Sequence, residues 1–573
     1  MRKPNRVMWA GTATAVALLA ASALGSVASA KSVRRAAPQY GGTLVWALPE
    51  QADINWYLPL ANGANDSLYN FQLLNQMYLP LVYVANDYHF DYANSIATKV
   101  VYNKEGTVYQ VFMNPKWHWS DGTPVTSKDV LFTWQLIQAT SNPKAAAPWP
   151  WVGAGSGDVP QGIQSVVANG PYEFTITLKQ PANQGWFMYN GLSDFMPLPM
   201  QAWDKYPNNM TQEIKWLGTQ ATSPTIDSVI DGPFKLSSAV NNQSWTLVPN
   251  PNYSGPKPYL SKVVFAYQTS DSSEFAALKT DSVQLGYLPL GDYGARAELP
   301  DHLLTTYDFG YGGIWPNMNA QAPGGAGSLL SQLYIRQAME MDINQNAISK
   351  IIWHGAAEPL YGAIPPNPKT IFLSPELAKP IYPYNPAAAK ALLEKHGWHE
   401  VDGVMTRGSQ KLQFSMLARS GDIAVTEEGE YIQQEWGQIG IKVTLKPEPF
   451  STQIGIISKP NDWQLSYGVN IIYGGSYPSG FELFGKGGGL NDMGYVNAKE
   501  EALINATHQP WPNDQVNLQH YFAYANYTAE QLPNIWVPLH GTIIAWAPNV
   551  HITVANYNPT TGDPLIQYWW MSK

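Results

Sequence analysis

The chain has 573 residues, no cysteine and a formal net charge of −9. That length exceeds one ordinary core and predicts two or three domains. The missing cysteine excludes disulfides, thiolate metal sites and a cysteine nucleophile, and the acidic balance argues against nucleic acid as a partner. Only 13% of residues are charged, against about 25% in an average domain, whereas 45% are hydrophobic and 13% aromatic. Sizeable cores are therefore expected under a surface of neutral polar residues. Such a surface changes little in charge when carboxylates protonate, which suits an acidic medium outside the cell.

The N-terminus has the form of an export signal. Arg2, Lys3 and Arg6 precede an apolar stretch over residues 7–24, and Ala28-Ser29-Ala30 is a small-residue cleavage site. Cleavage after Ala30 is expected. No later segment approaches ~20 uninterrupted apolar residues, so the mature chain is expected to be soluble. Without cysteine it is not expected to be a lipoprotein.

Gly41-Gly42-Thr43 opens a strand. A loop containing Glu50 and Trp56 follows, then a helix read from Ser67 to about residue 83. A strand from Thr107 leads into Trp119-Ser120-Asp121-Gly122-Thr123-Pro124, a polar turn in which glycine supplies positive φ and proline presets the next φ. Thr126 to Asp129 fits a capping box, and Val130, Trp134 and Ile137 mark one face of the helix behind it. Turn and cap chemistry account for Asp121 and Asp129 better than catalysis does.

Residues 141–170, rich in proline, glycine, tryptophan and alanine, read as an irregular excursion, and 172–178 alternate as a half-buried strand. A short helix is expected near Met200. Asp231-Gly232-Pro233-Phe234 opens a further strand region, in which Val263, Phe265 and Tyr267 alternate. A helix and a strand ending at Leu288-Pro289 follow. From about Phe309 helices alternate with strands, which argues for an α/β lobe with a mixed sheet. Asn385 as N-cap, Pro386 at N1 and Gly397 past the end frame one helix completely. A strand from Leu412, a helix carrying Ile432, Trp436 and Ile439, a stop at Gly440 and another strand come next. The Gly- and Tyr-rich run from Trp463 is too long for a simple connector and is read as either functional or poorly ordered.

No G-x-S-x-G elbow, H-E-x-x-H or P-loop occurs, and the ten histidines are scattered. Catalysis, a metal and a cofactor are therefore not expected, and His118 between two tryptophans reads as packed.

Several of these stretches together resemble one family. Trp119-Ser120-Asp121-Gly122-Thr123-Pro124-Val125-Thr126, with Asp129-Val130, resembles the signature of the family 5 extracellular solute-binding proteins of ABC importers, the oligopeptide, dipeptide and nickel-binding group. The Asp231-Gly232-Pro233-Phe234 strand, Arg336, Ala338, Asp342 and Ile348, the Asn385-Pro386 helix and the closing Leu532-Pro533 block resemble further family blocks, in the family's order from about 41 to 570. Ile343 and Asn344 stand where the family has an arginine after the aspartate.

The resemblance implies an α/β, two-lobed fold of the periplasmic-binding type II kind. Each lobe has a mixed sheet, the lobes are joined by a hinge, and the first carries the extra subdomain of the peptide-binding group. The expected division is 1–30 as signal peptide; 31–82, 226–308 and 541–573 as the discontinuous core of the first lobe; 83–225 as the extra subdomain; and 309–540 as the second lobe. The implied function is capture of an oligopeptide or peptide-like solute between the lobes, with delivery to the permease subunits of an importer by a monomeric protein at the cell surface or in a periplasm. A secreted carbohydrate-binding protein or glycoside hydrolase acting on oligosaccharides is the alternative, and a sensor module presenting ligand to a membrane receptor shares the fold.

By position in the family, Glu50, Trp56, Asn317, Asn319, Tyr473 and Tyr477 are candidate ligand contacts. Peptide-binding relatives pair the ligand's amine with an aspartate in a W-x-A-D-Y-x-D-P run. Here 470–478 contain no aspartate, and only Tyr477-Pro478 matches the end of that run. Either another carboxylate, Glu50 being the first choice, takes that role or the ligand has no free amine.

Overall fold

The computed structural model describes residues 37–49, 53–553, 557–558 and 563–573. The export signal and Glu50 lie outside the described residues. Three larger sheets organise the chain. A seven-stranded sheet runs in the order His302–Thr306, Thr542–Trp546, Leu285–Tyr287, Thr43–Leu48, Lys262–Tyr267, Ser244–Pro249, Phe234–Val240. Thr43–Leu48 lies parallel to Lys262–Tyr267 at its centre. Leu44, Trp46 and Leu48 alternate into the core, where Trp46 meets Phe265 and Trp569 at ring-centroid distances of 5.3 and 5.6 Å.

A four-stranded antiparallel sheet comes from the insertion between these strands: Ala97–Tyr102, Val108–Met113, Glu173–Leu178 and Ile163–Gly170 in spatial order. The five-stranded sheet is mixed. Lys442–Glu448, Gln413–Arg419 and Leu465–Tyr467 are parallel, and Gly313–Pro316 and Ile535–Trp536 extend it antiparallel. The fold is thus α/β with mixed sheets in two lobes, as the resemblance implies.

The signature turn is scaffold. Trp117 and Trp119 are buried beneath it. Gly122 has φ +88°, and the Asp121 carboxylate accepts from the Thr123 N–H at 2.9 Å and from its hydroxyl at 2.6 Å. The Ser120 N–H donates to the Ile230 carbonyl at 2.7 Å, which ties the turn to the segment leading into the seven-stranded sheet. Thr126 and Asp129 form the capping box of the helix Ser127–Thr140. Val130 and Ile137 are buried on that helix, while Trp134 is half-buried.

Three local expectations change. The helix after Ser67 spans only Leu68–Leu74. Beyond it the backbone serves distant partners: the Met77 carbonyl accepts from Asp231 and Gly232, and the Gln76 amide group donates to the Pro564 carbonyl at 2.9 Å. Residues 163–170, read as irregular, form a strand at the edge of the four-stranded sheet, hairpinned to Glu173–Leu178 with register shifts. Several helices went unread, among them Gln184–Asn190, Met210–Gln220 and Asp514–Gln531, although Asn183, Asn209 and Asn513 cap them through side-chain oxygens.

Candidate ligand site

Two adjacent chain crossings join the seven-stranded and five-stranded sheets. Thr306 pairs with Thr542 at the end of one sheet, and Gly313 pairs with Trp536 at the start of the other. Residues 307–312 and 537–541 therefore span the gap side by side. A Cβ on Gly312 would stand 3.5 Å from the Pro538 carbonyl oxygen, and one on Gly541 2.7 Å from that of Ala356. Such tight backbone approach leaves room only for glycine at Gly541. The pair of crossings forms a hinge of the kind about which domains close.

The first crossing also builds part of the site. Gly310 and Tyr311 pair antiparallel with Ile472 and Ile471, and the Tyr473 N–H donates to the Phe309 carbonyl at 2.7 Å. The loop after Leu465–Tyr467 is thereby laid along the crossing. It leaves the carboxyl end of a run of parallel strands, the edge at which open α/β sheets bind ligands. Arg419 ends the neighbouring strand of that edge, with Asp422 at 3.1 Å.

The N-terminal turn of Leu68–Leu74 carries Tyr69. Its phenol is held well up, chiefly by burial, then by the negative charges of Glu274 and Asp308, against Arg419. Tyr69 thus marks a point on which the first lobe, the crossing and the second lobe converge. Asp308 on the crossing is half-buried, and burial lifts its carboxyl to about 6.

Of the expected contacts, Tyr473 and Tyr477 come together in an aromatic wall. Tyr473 meets Phe309 and Tyr311 at 5.2 and 5.9 Å, and Tyr477 lies edge-on to Phe372 and Tyr521 at 4.9 and 5.6 Å. Trp56 is a core side chain, 2% exposed, with its indole N–H on the Leu58 carbonyl at 2.8 Å and its ring edge-on to Trp149. The Asn317 amide group is fully enclosed and donates to the carbonyls of Pro460 and Trp463, each at 2.8 Å. Asn319 donates to Asn317 Oδ1 and to the Asp492 carbonyl. These two asparagines brace loops of the second lobe with their side-chain donors.

Sequence reasoning missed Tyr69, Asp308, Phe372 and Tyr521. A chain position beside a sheet crossing carries no periodic signal, so nothing local marks Asp308.

The insertion between strands also touches the second lobe. Asn190 mimics a backbone: its Oδ1 accepts from the Tyr477 N–H at 2.6 Å and its Nδ2 donates to the Tyr477 carbonyl at 3.0 Å. Asn183 donates through its backbone to His508 O at 2.7 Å and through Nδ2 to Thr507 O at 2.8 Å. A cavity of about 570 Å³ lies beside this contact, lined by Tyr189, Phe372, Tyr477 and Trp511 among others. Asn190→Ala leaves two buried backbone groups without partners and is expected to cost about 1–3 kcal/mol, read as a lower urea midpoint.

Among the described residues no group of three or more His, Asp or Glu side chains is arranged to hold a metal, and no helix is long and apolar enough to cross a membrane. Two α/β lobes, paired crossings and a loop-built site at the strand ends define a solute-binding protein of the two-lobed extracytoplasmic class. The sequence profile described as bacterial extracellular solute-binding proteins, family 5, middle region, matches residues 91–492, and the chain belongs to that family. It is 22% identical over 586 aligned residues, covering 100% of both chains, to the oligopeptide-binding protein AppA of Bacillus subtilis. The structure of that protein with a nonapeptide superposes with a TM-score of 0.75 at 21% identity, covering 94% of this chain and 100% of that one. NikA from Brucella suis, solved in complex with Fe(III)-EDTA, superposes with a TM-score of 0.74 at 16% identity, covering 93% of this chain and 100% of that one.

Proposed function

We propose that this chain is exported, captures an oligopeptide or peptide-like solute between its two lobes, and delivers it as a monomer to the permease subunits of an ABC importer. The likeness over its whole length to an oligopeptide-binding protein carries the peptide reading. The hinge-like crossings support capture by closure, in which ligand favours the closed state by its differential affinity. We take the first lobe as 31–82, 226–308 and 541–573, its subdomain as 83–225 and the second lobe as 309–540, with residues 1–30 as the export signal. Glu50 remains a candidate contact beside Tyr473 and Tyr477.

Mass spectrometry of whatever leaves the purified protein on denaturation tests this reading. A mixture of short peptides is the expected result. A sugar, or a metal chelate, as the released solute overturns it.

A further inference from the structure

We propose that Asp308 is the carboxylate that receives the ligand's ammonium group, so that the solute class is peptides with a free N-terminus. This rests on the peptide reading above. Three arguments carry it, and the first is placement. Asp308 lies on the first crossing, between Thr306, which pairs with Thr542 in one sheet, and Gly310, which pairs with Ile472 beside the other. The Tyr473 N–H bonds to the carbonyl of Phe309, the residue after Asp308, so the turn that begins at Tyr473 and carries Gly474 at φ +56° starts beside Asp308. A Cβ at Gly474 would meet nothing within 4 Å. The loop that lacks an aspartate over 470–478 is therefore laid against an aspartate from another element, beside open space.

The second observation is chemical isolation. Among the described residues Asp308 takes part in none of the ion pairs and accepts no side-chain hydrogen bond, although it is half-buried. Its neighbourhood therefore leaves a carboxyl group short of a cation. Arg419, whose charge reaches the same Tyr69 phenol, is already bound to Asp422. The third is complementarity. A buried ammonium without a carboxylate is costly, and so is a half-buried carboxylate without a cation. A ligand amine settles both.

The test retains a randomised tetrapeptide pool on the full chain, once with free N-termini and once N-acetylated, with retention counted by mass spectrometry. The wild-type chain is expected to prefer the free-amine pool by about tenfold or more, the usual loss when one partner of a desolvated charge pair is removed. Asp308→Asn should abolish that preference while still retaining the acetylated pool, which also shows that the variant is folded. Asp308→Glu should restore part of the preference. Preference that survives in Asp308→Asn, or loss of both pools in that variant, overturns the assignment. Equal retention of the two pools by the wild-type chain overturns it as well. If the wild-type chain retains neither pool, the peptide reading itself falls, and the assignment with it.

Discussion

Thermal stability is expected to rise as the pH falls from about 8 to about 4, opposite to ordinary acid denaturation. Several buried carboxyl groups contribute, Glu274 and Asp342 among them. Glu274 is 1% exposed, accepts from the Tyr287 N–H at 2.7 Å, and is lifted by burial from 4.5 to about 8. Asp342 is also 1% exposed, neither of its carboxyl oxygens has a partner, and burial followed by the nearby charge of Glu435 lifts it from 3.8 to about 8. The family places an arginine after this aspartate, and Ile343 stands there instead. Without that cation, Asp342 holds its proton.

The sign follows from proton counting. Between the unfolded values near 4 and the folded values near 8, the folded chain binds more protons than the unfolded one, so raising the pH through that window removes stability. Below about 4 both states are protonated and the stability is fully present. A lift from 4.5 to about 8 corresponds to about 5 kcal/mol for Glu274, and Asp342 is comparable. A chain of this size unfolds with an entropy near 1 kcal/mol/K, so each group is expected to move Tm by about 4–5 °C and the pair by about 9 °C.

Asp342→Asn should raise Tm by about 4 °C at pH 8 and leave it unchanged at pH 4, as read by scanning calorimetry. A lower Tm in this variant at pH 8, or a wild-type Tm that falls on acidification over this range, is the contrary result. The low charge content fits the same behaviour, since few groups on the surface change charge as the medium acidifies.

Arg336→Ala is expected to destabilise the second lobe by about 3–5 kcal/mol. The guanidinium is 3% exposed and is shared among three backbone carbonyls: Leu532 from Nε at 2.8 Å, Gln531 from Nη2 at 2.8 Å, and Leu330 from Nη1. Two of these close the helix Asp514–Gln531, whose carboxyl end carries partial negative charge. The next residue, Leu532, is held in the left-handed region at φ +47°, where a side chain is disfavoured. Arg336 thus pins a strained helix exit just before the chain turns back through Ile535–Trp536 toward the second crossing.

Burial lowers Arg336 to about 10, which leaves it charged at neutral pH. Truncation strands three carbonyls at once, each costing about 1–3 kcal/mol if left unpaired. Arg336→Lys should fall between the two, because one ammonium cannot reach three acceptors held by a planar fork. Urea unfolding followed by tryptophan fluorescence measures the change. A loss under about 1 kcal/mol for the alanine variant contradicts the pinning role.

The same arginine shows how far local reading reached. Arg336 stood out as a block residue with no visible task, because two of its three partners lie about 200 residues away in sequence. Asp342 was legible as an aspartate missing its cation, but the lack of any partner emerged only from its packing. Tyr473 and Tyr477 were singled out because a long aromatic loop is improbable as a connector, and their rings pack into one aromatic wall. Trp56 and Asn317 were named by position in a family and stand enclosed within their own lobes. Asp308 was invisible, since it belongs to neither a periodic element nor a turn motif.

By itself the sequence determined what depends on near neighbours. The capping box at Thr126 and Asp129, the Asn385-Pro386 start with Gly397 past its end and the turn at Gly122 are all local satisfaction of backbone groups. Such contacts are complete within a few residues. Only the tertiary structure decided where the helix after Ser67 stops, that 163–170 joins a sheet, and which polar side chains face the gap between lobes. Those outcomes depend on partners such as Pro564 for Gln76, Tyr477 for Asn190 and Ile472 for Gly310. Their free energy exists only once the chain has brought them together.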